Sequence, residues 1–184
     1  MELVQRARKG DKNAFKELVR KYENQVAGTV IGMLGYCTEA DDIGQETFFR
    51  FYRSLHKFRG KSSVGTYLTR IAINLSLNEI KRRKRRRELH VSDEEEKIGN
   101  VPDDDNRDSQ KELREIVRTG IQKLNPKHRA VIVLRLMQGY TTEETAQILG
   151  LPVGTVLSRL ARAQKQLKKI LIPLYRENEG TTRG

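Results

Sequence analysis

Thr141-Thr142-Glu143-Glu144-Thr145-Ala146-Gln147-Ile148-Leu149-Gly150-Leu151-Pro152-Val153-Gly154-Thr155-Val156-Leu157-Ser158-Arg159-Leu160-Ala161-Arg162-Ala163-Gln164-Lys165 is the stretch that decides the fold. Thr141 and Glu144 form a capping box, which opens a short helix with Ala146, Ile148 and Leu149 inward and Gly150 at its close. Pro152 starts the next helix. Val153, Val156, Leu157, Leu160, Ala163 and Leu167 include its buried stripe, and Ser158, Arg159, Arg162 and Lys165 fall largely on its polar side. A capped helix of about two turns, a glycine turn and a basic helix sized for a major groove together read as a helix-turn-helix. Thr155, Ser158, Arg159 and Arg162 are spaced by three or four residues and can share one face. A plain helical hairpin with a surface arginine stripe would show the same spacing. The formal charge of +12 favours the nucleic-acid reading.

Helical spacing continues toward the N-terminus. Asn125 is placed to cap a helix with Pro126 at its first position; that helix carries Val131, Ile132, Val133, Leu134 and Leu136 and stops at Gly139. Leu113, Ile116, Val117, Ile121 and Leu124 mark the helix before it. In the first half, Asp11 caps a helix with Ala14, Phe15, Leu18, Val19, Tyr22 and Val26 on one face. A second helix, from near Thr38, turns Ile43, Phe48, Phe51, Tyr52 and Leu55 to a core and leaves Asp41, Asp42, Gln45, Glu46 and Arg50 mostly elsewhere on its surface. Turn formers break the pattern between Phe58 and Ser63. A third helix, from about Val64, carries Leu68, Ile71, Ala72 and Leu75 and runs into the basic run Lys81 to Arg87. With no strand alternation or hairpin signal, the expected fold class is all-α.

Composition bounds the rest. The 184 residues are 33% charged and 36% hydrophobic, too polar for a membrane protein and too apolar for a fully disordered chain. A stretch free of charge runs from Asn24 to Thr38, but glycines interrupt it and it falls short of the roughly 18 residues of a span. No apolar run follows Arg6, Arg8 and Lys9, so a secretory signal is not expected and a cytoplasmic address is. One cysteine, Cys37, and dispersed His56, His90 and His128 give no disulfide or metal-ligand spacing; neither a metal nor a cofactor is expected.

Charge is distributed in blocks: residues 1–90 carry +10, residues 91–112 carry −6 and residues 113–184 carry +8. Two basic blocks around an acidic one predict two small domains, 1–90 and 113–175, that touch the same polyanion. The segment between them, with Asp93-Glu94-Glu95-Glu96 and Asp103-Asp104-Asp105, reads as a flexible acidic linker, and residues 176–184 as a flexible tail. The linker is either a solvated spacer or a DNA mimic that shields the basic faces. Domains this small are marginal alone, which suits a larger partner.

In the first domain, the basic run follows a turn bearing Phe58, Arg59, Lys61 and Ser62, with Tyr67 and Asn74 beyond. Cations interleaved with rings suit single-stranded nucleic acid, since cations track phosphates and rings stack on unpaired bases. Phe58 and Tyr67 equally suit a core. Asp41, Asp42 and Glu46 raise the question of a carboxylate site, but no His, Lys or second carboxylate cluster converges on them, so an acidic binding face is the preferred reading and no catalytic residue is expected. Cys37 has no local basic partner and reads as a small apolar residue.

Several ordered motifs carry a family resemblance: Asp11-x-x-Ala14-Phe15-x-x-Leu18-Val19-x-x-Tyr22, Asp41-Asp42-Ile43-Gly44-Gln45-Glu46-Thr47-Phe48, Phe58-Arg59-Gly60, Thr66-Tyr67-Leu68-Thr69-Arg70-Ile71-Ala72-Ile73-Asn74, Gly139-Tyr140-Thr141 and Leu151-Pro152-Val153-Gly154-Thr155-Val156-Leu157-Ser158-Arg159-Leu160-x-Arg162-Ala163. Over nearly its whole length the chain resembles an extracytoplasmic-function sigma factor of the sigma-70 family. The resemblance implies that residues 1–90 correspond to sigma region 2 and residues 113–175 to region 4. It further implies that Asp41, Asp42, Gln45 and Glu46 dock on core RNA polymerase, that Phe58, Arg59, Lys61, Ser62, Tyr67 and Asn74 meet the melted minus-ten element, and that Thr141, Thr155, Ser158, Arg159 and Arg162 read the minus-thirty-five element as duplex. Promoter DNA and an anti-sigma factor are the other implied partners, with a monomer when free of them and no membrane insertion. Tyr67 stands where the family usually has Trp, Leu157 where a basic residue is common, and Thr145 where an aliphatic residue is usual. Two other readings compete: a dimeric helix-turn-helix regulator on a two-fold symmetric operator, and a nucleic-acid-processing enzyme, which would need a catalytic constellation that is not visible.

Overall fold

The computed structural model describes residues 1–89 and 109–182 and divides the chain into two compact units, Met1–Glu95 and Glu96–Gly184. Every regular element among the described residues is helical. Unit 1 comprises α1 (Glu2–Arg8), α2 (Lys12–Leu34), α3 (Thr38–Ser54), a 3-10 turn (Leu55–Lys57) and α4 (Val64–Leu89). Unit 2 comprises α5 (Ser109–Gln122), α6 (Pro126–Ile132), a π-helical turn (Val133–Met137), α7 (Thr142–Leu149) and α8 (Val153–Thr182). None of the described helices is long and apolar enough to cross a membrane.

In unit 1, the Asp11 carboxylate accepts from the amides of Asn13 and Ala14, so the expected cap starts α2. Val26, Val30 and Met33 of α2, Phe51 and Leu55 of the α3 arm, and Leu68, Ala72 and Ile73 of α4 are buried, and α2, α3 and α4 pack on one another. Burying a side chain the size of Phe51 stabilises by roughly 1.5 to 3 kcal/mol. The hydroxyls of buried Thr29 and Thr47 donate to the carbonyls of Gln25 and Ile43 one turn back, which satisfies them inside their own helices. α1 lies outside the sequence expectation and packs on α2 through Val4 and Ala7. Tyr52, expected in the core, is exposed on α3.

In unit 2, Asn125 caps α6 with Pro126 at its first position. Buried Arg129 then donates to the carbonyls of Gln122 and Leu124, at and just past the end of α5. Ile121, Leu124, Ile132 and Ala163 form one core cluster, and Val131, Ala146 and Val156 form a second under the α7–α8 turn. α8 continues through Pro173 to Thr182, past the boundary expected at 175. A Cβ on Gly120 of α5 would come within 2.6 Å of Leu171, so the two helices are in close contact well beyond the recognition turns. Of the expected linker, Ser109–Glu112 forms the first turn of α5, and the acidic clusters lie outside the described residues.

Candidate nucleic-acid interface

The turn between α7 and α8 is built from short-range bonds. The Thr141 hydroxyl accepts from the Glu144 amide at 3.1 Å, and the Glu144 carboxylate accepts from the Thr141 amide at 2.8 Å, completing the capping box. Gly150 ends α7 in the left-handed region (φ 64°), where a side chain would be strained, and its amide closes on the Ala146 carbonyl. Val156 is fully buried against Val131 and Ala146, which fixes the rotation of α8 at its first turn.

That rotation sorts the expected contact residues. Ser158 and Arg162 are exposed, Thr155 and Arg159 are half-buried on the flank, and Thr141 is exposed at the start of α7. The Ser158 hydroxyl donates to the Thr155 carbonyl at 3.0 Å, which leaves its oxygen free to accept. Gly154, Ser158, Ala161 and Lys165 point the same way at helical spacing and are all exposed. Val153 and Leu157, expected in the buried stripe, are 40% and 52% exposed beside them. Among the described residues no carboxylate is paired with Arg162 or Lys165.

Unit 1 presents two separate faces. On α3, Asp41, Asp42 and Gln45 are exposed, while Glu46 accepts from Arg50 at 2.7 Å and so offers a paired rather than a bare carboxylate. Phe49 is 55% exposed with the Arg53 guanidinium 5.6 Å from its ring centre, and Tyr52 is 47% exposed, edge-on to Phe15. Both extend the acidic face by helical spacing. Sequence reading had no signal for Phe49, because three aromatic residues at Phe48, Phe49 and Phe51 leave the phase of the stripe ambiguous.

The turn before α4 brings Arg59 and Lys61 out to solvent with Ser62 half-buried beside them. Phe58 is only 4% exposed, in an aromatic cluster with Phe51 and Tyr67 at 6.0 and 5.2 Å between ring centres. In this conformation its ring is core and cannot stack on a base. Arg8 donates to the carbonyls of Phe58 and Leu55, pinning the turn from α1. Tyr67 is half-buried, and its hydroxyl lies 3.3 Å from that of Ser54. Asn74 is exposed on α4, about 15 Å along the helix from its start, so it does not join the turn residues directly. It belongs instead to an exposed polar stripe of Arg70, Asn74, Asn78, Lys81 and Arg85 at three- and four-residue spacing. A search for charge runs passes over this stripe; a search by helical face finds it.

The opposite side of the basic run is neutralised. Glu79, 7% exposed, accepts from Arg82 at 2.7 Å and Arg83 at 3.3 Å, with Arg86 at 3.5 Å. Glu39 of α3 meets Arg83 at 3.1 Å. A bond to its own backbone amide, with Arg83 and Arg86 nearby, holds the Glu39 carboxyl below the usual carboxylate range despite partial desolvation. Cys37 is not without a basic neighbour: the Arg83 guanidinium donates to its sulfur at 3.0 Å, across 46 positions of sequence.

Residues 18–86 match the family described as Sigma-70 region 2, and residues 114–167 match Sigma-70, region 4. The chain is 34% identical to the RNA polymerase sigma-H factor of Pseudomonas aeruginosa over 96% of this chain and 95% of that one. It is 36% identical to the ECF RNA polymerase sigma-E factor of Escherichia coli K12, with 95% of each covered. Among solved structures it is similar to CnrH in complex with the cytosolic domain of CnrY, with a TM-score of 0.68, 27% identity and 93% and 96% of the two chains covered. It shares its fold with the sigma factor RpoE of Bartonella quintana, solved with the anti-sigma factor NepR, at a TM-score of 0.70 and 21% identity, covering 85% of this chain and 96% of that one.

Proposed function

Because the chain belongs to the extracytoplasmic-function group of the sigma-70 family, whose members act in transcription initiation, we propose that it directs core RNA polymerase to promoters by dividing recognition between its two units. The observation that carries this reading is the α7–α8 turn, where a capping box, a left-handed glycine and buried Val156 hold out a basic helix face. Ser158 and Arg162, with Thr155 and Arg159 on the flank, read the minus-thirty-five element in the major groove. Thr141 contacts the backbone.

Unit 1 carries the other two tasks. Asp41, Asp42, Gln45 and Glu46 dock on the polymerase, with Phe49 and Tyr52 supplying apolar area to that contact. Arg59, Lys61 and Ser62 hold the backbone of the melted minus-ten strand, and Asn74 hydrogen-bonds an exposed base edge. Tyr67, wedged against Phe58, shapes the floor of that site. Two weak contacts on one chain raise the effective concentration of the second once the first is made. The likeness to CnrH, solved with the cytosolic domain of CnrY, supports a protein partner here as well: an anti-sigma factor that holds the chain off polymerase. Free of partners, the chain is a cytoplasmic monomer.

Run-off transcription from a promoter library by core polymerase, with and without the protein, tests the reading. Transcripts that need the protein, from templates sharing two unlike elements, are the expected result. Binding of a dimer to a two-fold symmetric site without polymerase would replace it with the regulator reading. Reversal of Asp42 and Glu46 to Lys should abolish capture of core polymerase while circular dichroism stays native.

A further inference from the structure

On the first turns of α8, the exposed side chain that fits least well with a purely electrostatic role is Leu157. It lies in the second turn of α8, 52% exposed, with Val153 at 40% one turn before it. A lone exposed leucine needs no explanation. This one lies on a helix whose neighbouring outward positions are Gly154, Ser158 and Ala161, small enough to let the backbone approach a partner closely, followed by Arg162 and Lys165. The two packing clusters described above leave Leu157 out, although Val156 and Leu160 on either side pack in them. Small residues, an apolar knob and flanking cations suit a surface that is apolar at one point and anionic around it. In the major groove of duplex DNA, base edges present one apolar group, the C5 methyl of thymine.

We infer that Leu157, supported by Val153, reads thymine methyl groups and sets a base preference of this chain within its duplex element. The inference rests on the reading of α8 as a major-groove helix. Leu157 gives up the phosphate or base hydrogen bond that a basic residue would make, and gains a contact that distinguishes thymine from the other bases by a methyl alone. Lys165, exposed further along the same helix, supplies the sequence-independent attraction that brings the knob to the groove.

The test uses the full chain and the minus-thirty-five duplexes recovered from the promoter library, with each thymine replaced singly by deoxyuridine. That change keeps the base pair and removes only the methyl. At one or two positions it should weaken binding by about three- to fivefold, the effect of one buried methyl group. Leu157→Ala should bind the thymine and deoxyuridine duplexes equally, with an unchanged salt slope. Leu157→Arg should also lose the thymine preference while steepening the slope by about one. If no deoxyuridine substitution weakens the parent protein, or if Leu157→Ala still discriminates, the inference is overturned. It is equally overturned if Leu157→Ala weakens capture of core polymerase and leaves thymine preference untouched, which would assign the knob to a protein contact. Failure of the underlying reading looks different: Arg162→Ala and Lys165→Ala would then leave duplex affinity and salt slope unchanged.

Discussion

The end of α4 and the middle of α8 are both rich in positive charge and use it in opposite ways. On α4, Arg82, Arg83 and Arg86 pair with buried Glu79, and Arg83 and Arg86 also with Glu39, tying α4 to itself and to α3. On α8, Arg162, Lys165, Lys168 and Lys169 are exposed, and among the described residues no carboxylate is paired with them. A cation already held by a carboxylate has little to gain from a phosphate, and its approach releases fewer counterions. The seven-residue run that dominates the charge of unit 1 is therefore half rivet and half binding surface. The sparser cations of α8 are the better candidates for affinity.

The sharpest way to break this contrast is Glu79→Ala. It leaves three arginines around a vacated, buried position and should cost about 3 kcal/mol of stability, read as a lower urea midpoint. Glu79→Gln should cost less, because the amide oxygen still accepts. Next in size is a matched pair. Arg162→Ala should lower duplex affinity severalfold and reduce the salt slope by about one, with stability changed by no more than about 0.5 kcal/mol. Arg83→Ala should do the reverse, lowering stability while duplex affinity and slope hold; a large loss of affinity from Arg83→Ala would dissolve the distinction between the helices.

A third prediction compares two buried polar groups. Glu79 is fully engaged, whereas the Thr145 hydroxyl in α7 is buried with no hydrogen-bond partner. Thr145→Val keeps the shape and removes the orphaned group, so it should stabilise by about 1 kcal/mol, seen as a higher melting temperature. The smallest effect concerns acid. Because the folded Glu39 carboxyl titrates below its ordinary value of 4.5, its contribution is complete above that pH and is lost as pH falls through the lower folded value. Urea midpoints should drop more steeply below pH 4.5 in the parent than in Glu39→Gln.

Elements whose signals span only a few residues were legible in sequence. The caps at Asp11, Asn125 and Thr141 and the stop at Gly150 each need only neighbours within four positions, and all four form as expected. What escaped was set by distant contacts. α1 buries only Val4 and Ala7, too few for a periodic signal. Phe58, flanked by turn formers, is drawn inward by Phe51 and Tyr67 and by a turn that Arg8 pins from 50 positions away. Val153 and Leu157 were assigned to the wrong side because the apolar residues of α8 admit two phases about 100° apart. Burial of Val156 and Ala163 selects one of them. The polar stripe of α4 escaped for a related reason: its members are spaced around a helix rather than adjacent in the chain.

The π-helical turn at Val133–Met137 has a consequence for insertions and deletions. Its Gln138 amide reaches back five residues, to Val133, and the Tyr140 amide reaches Leu134, so the turn holds one residue more than a regular helix would need. Removing that residue would restore an ordinary helical turn and so be tolerated locally. Everything downstream would then emerge about 100° out of phase. Arg135, whose guanidinium now holds the Tyr140 carbonyl, would lose its acceptor, and Thr141 would open α7 in a different direction. A one-codon deletion there should leave helix content intact and misaim the whole recognition face.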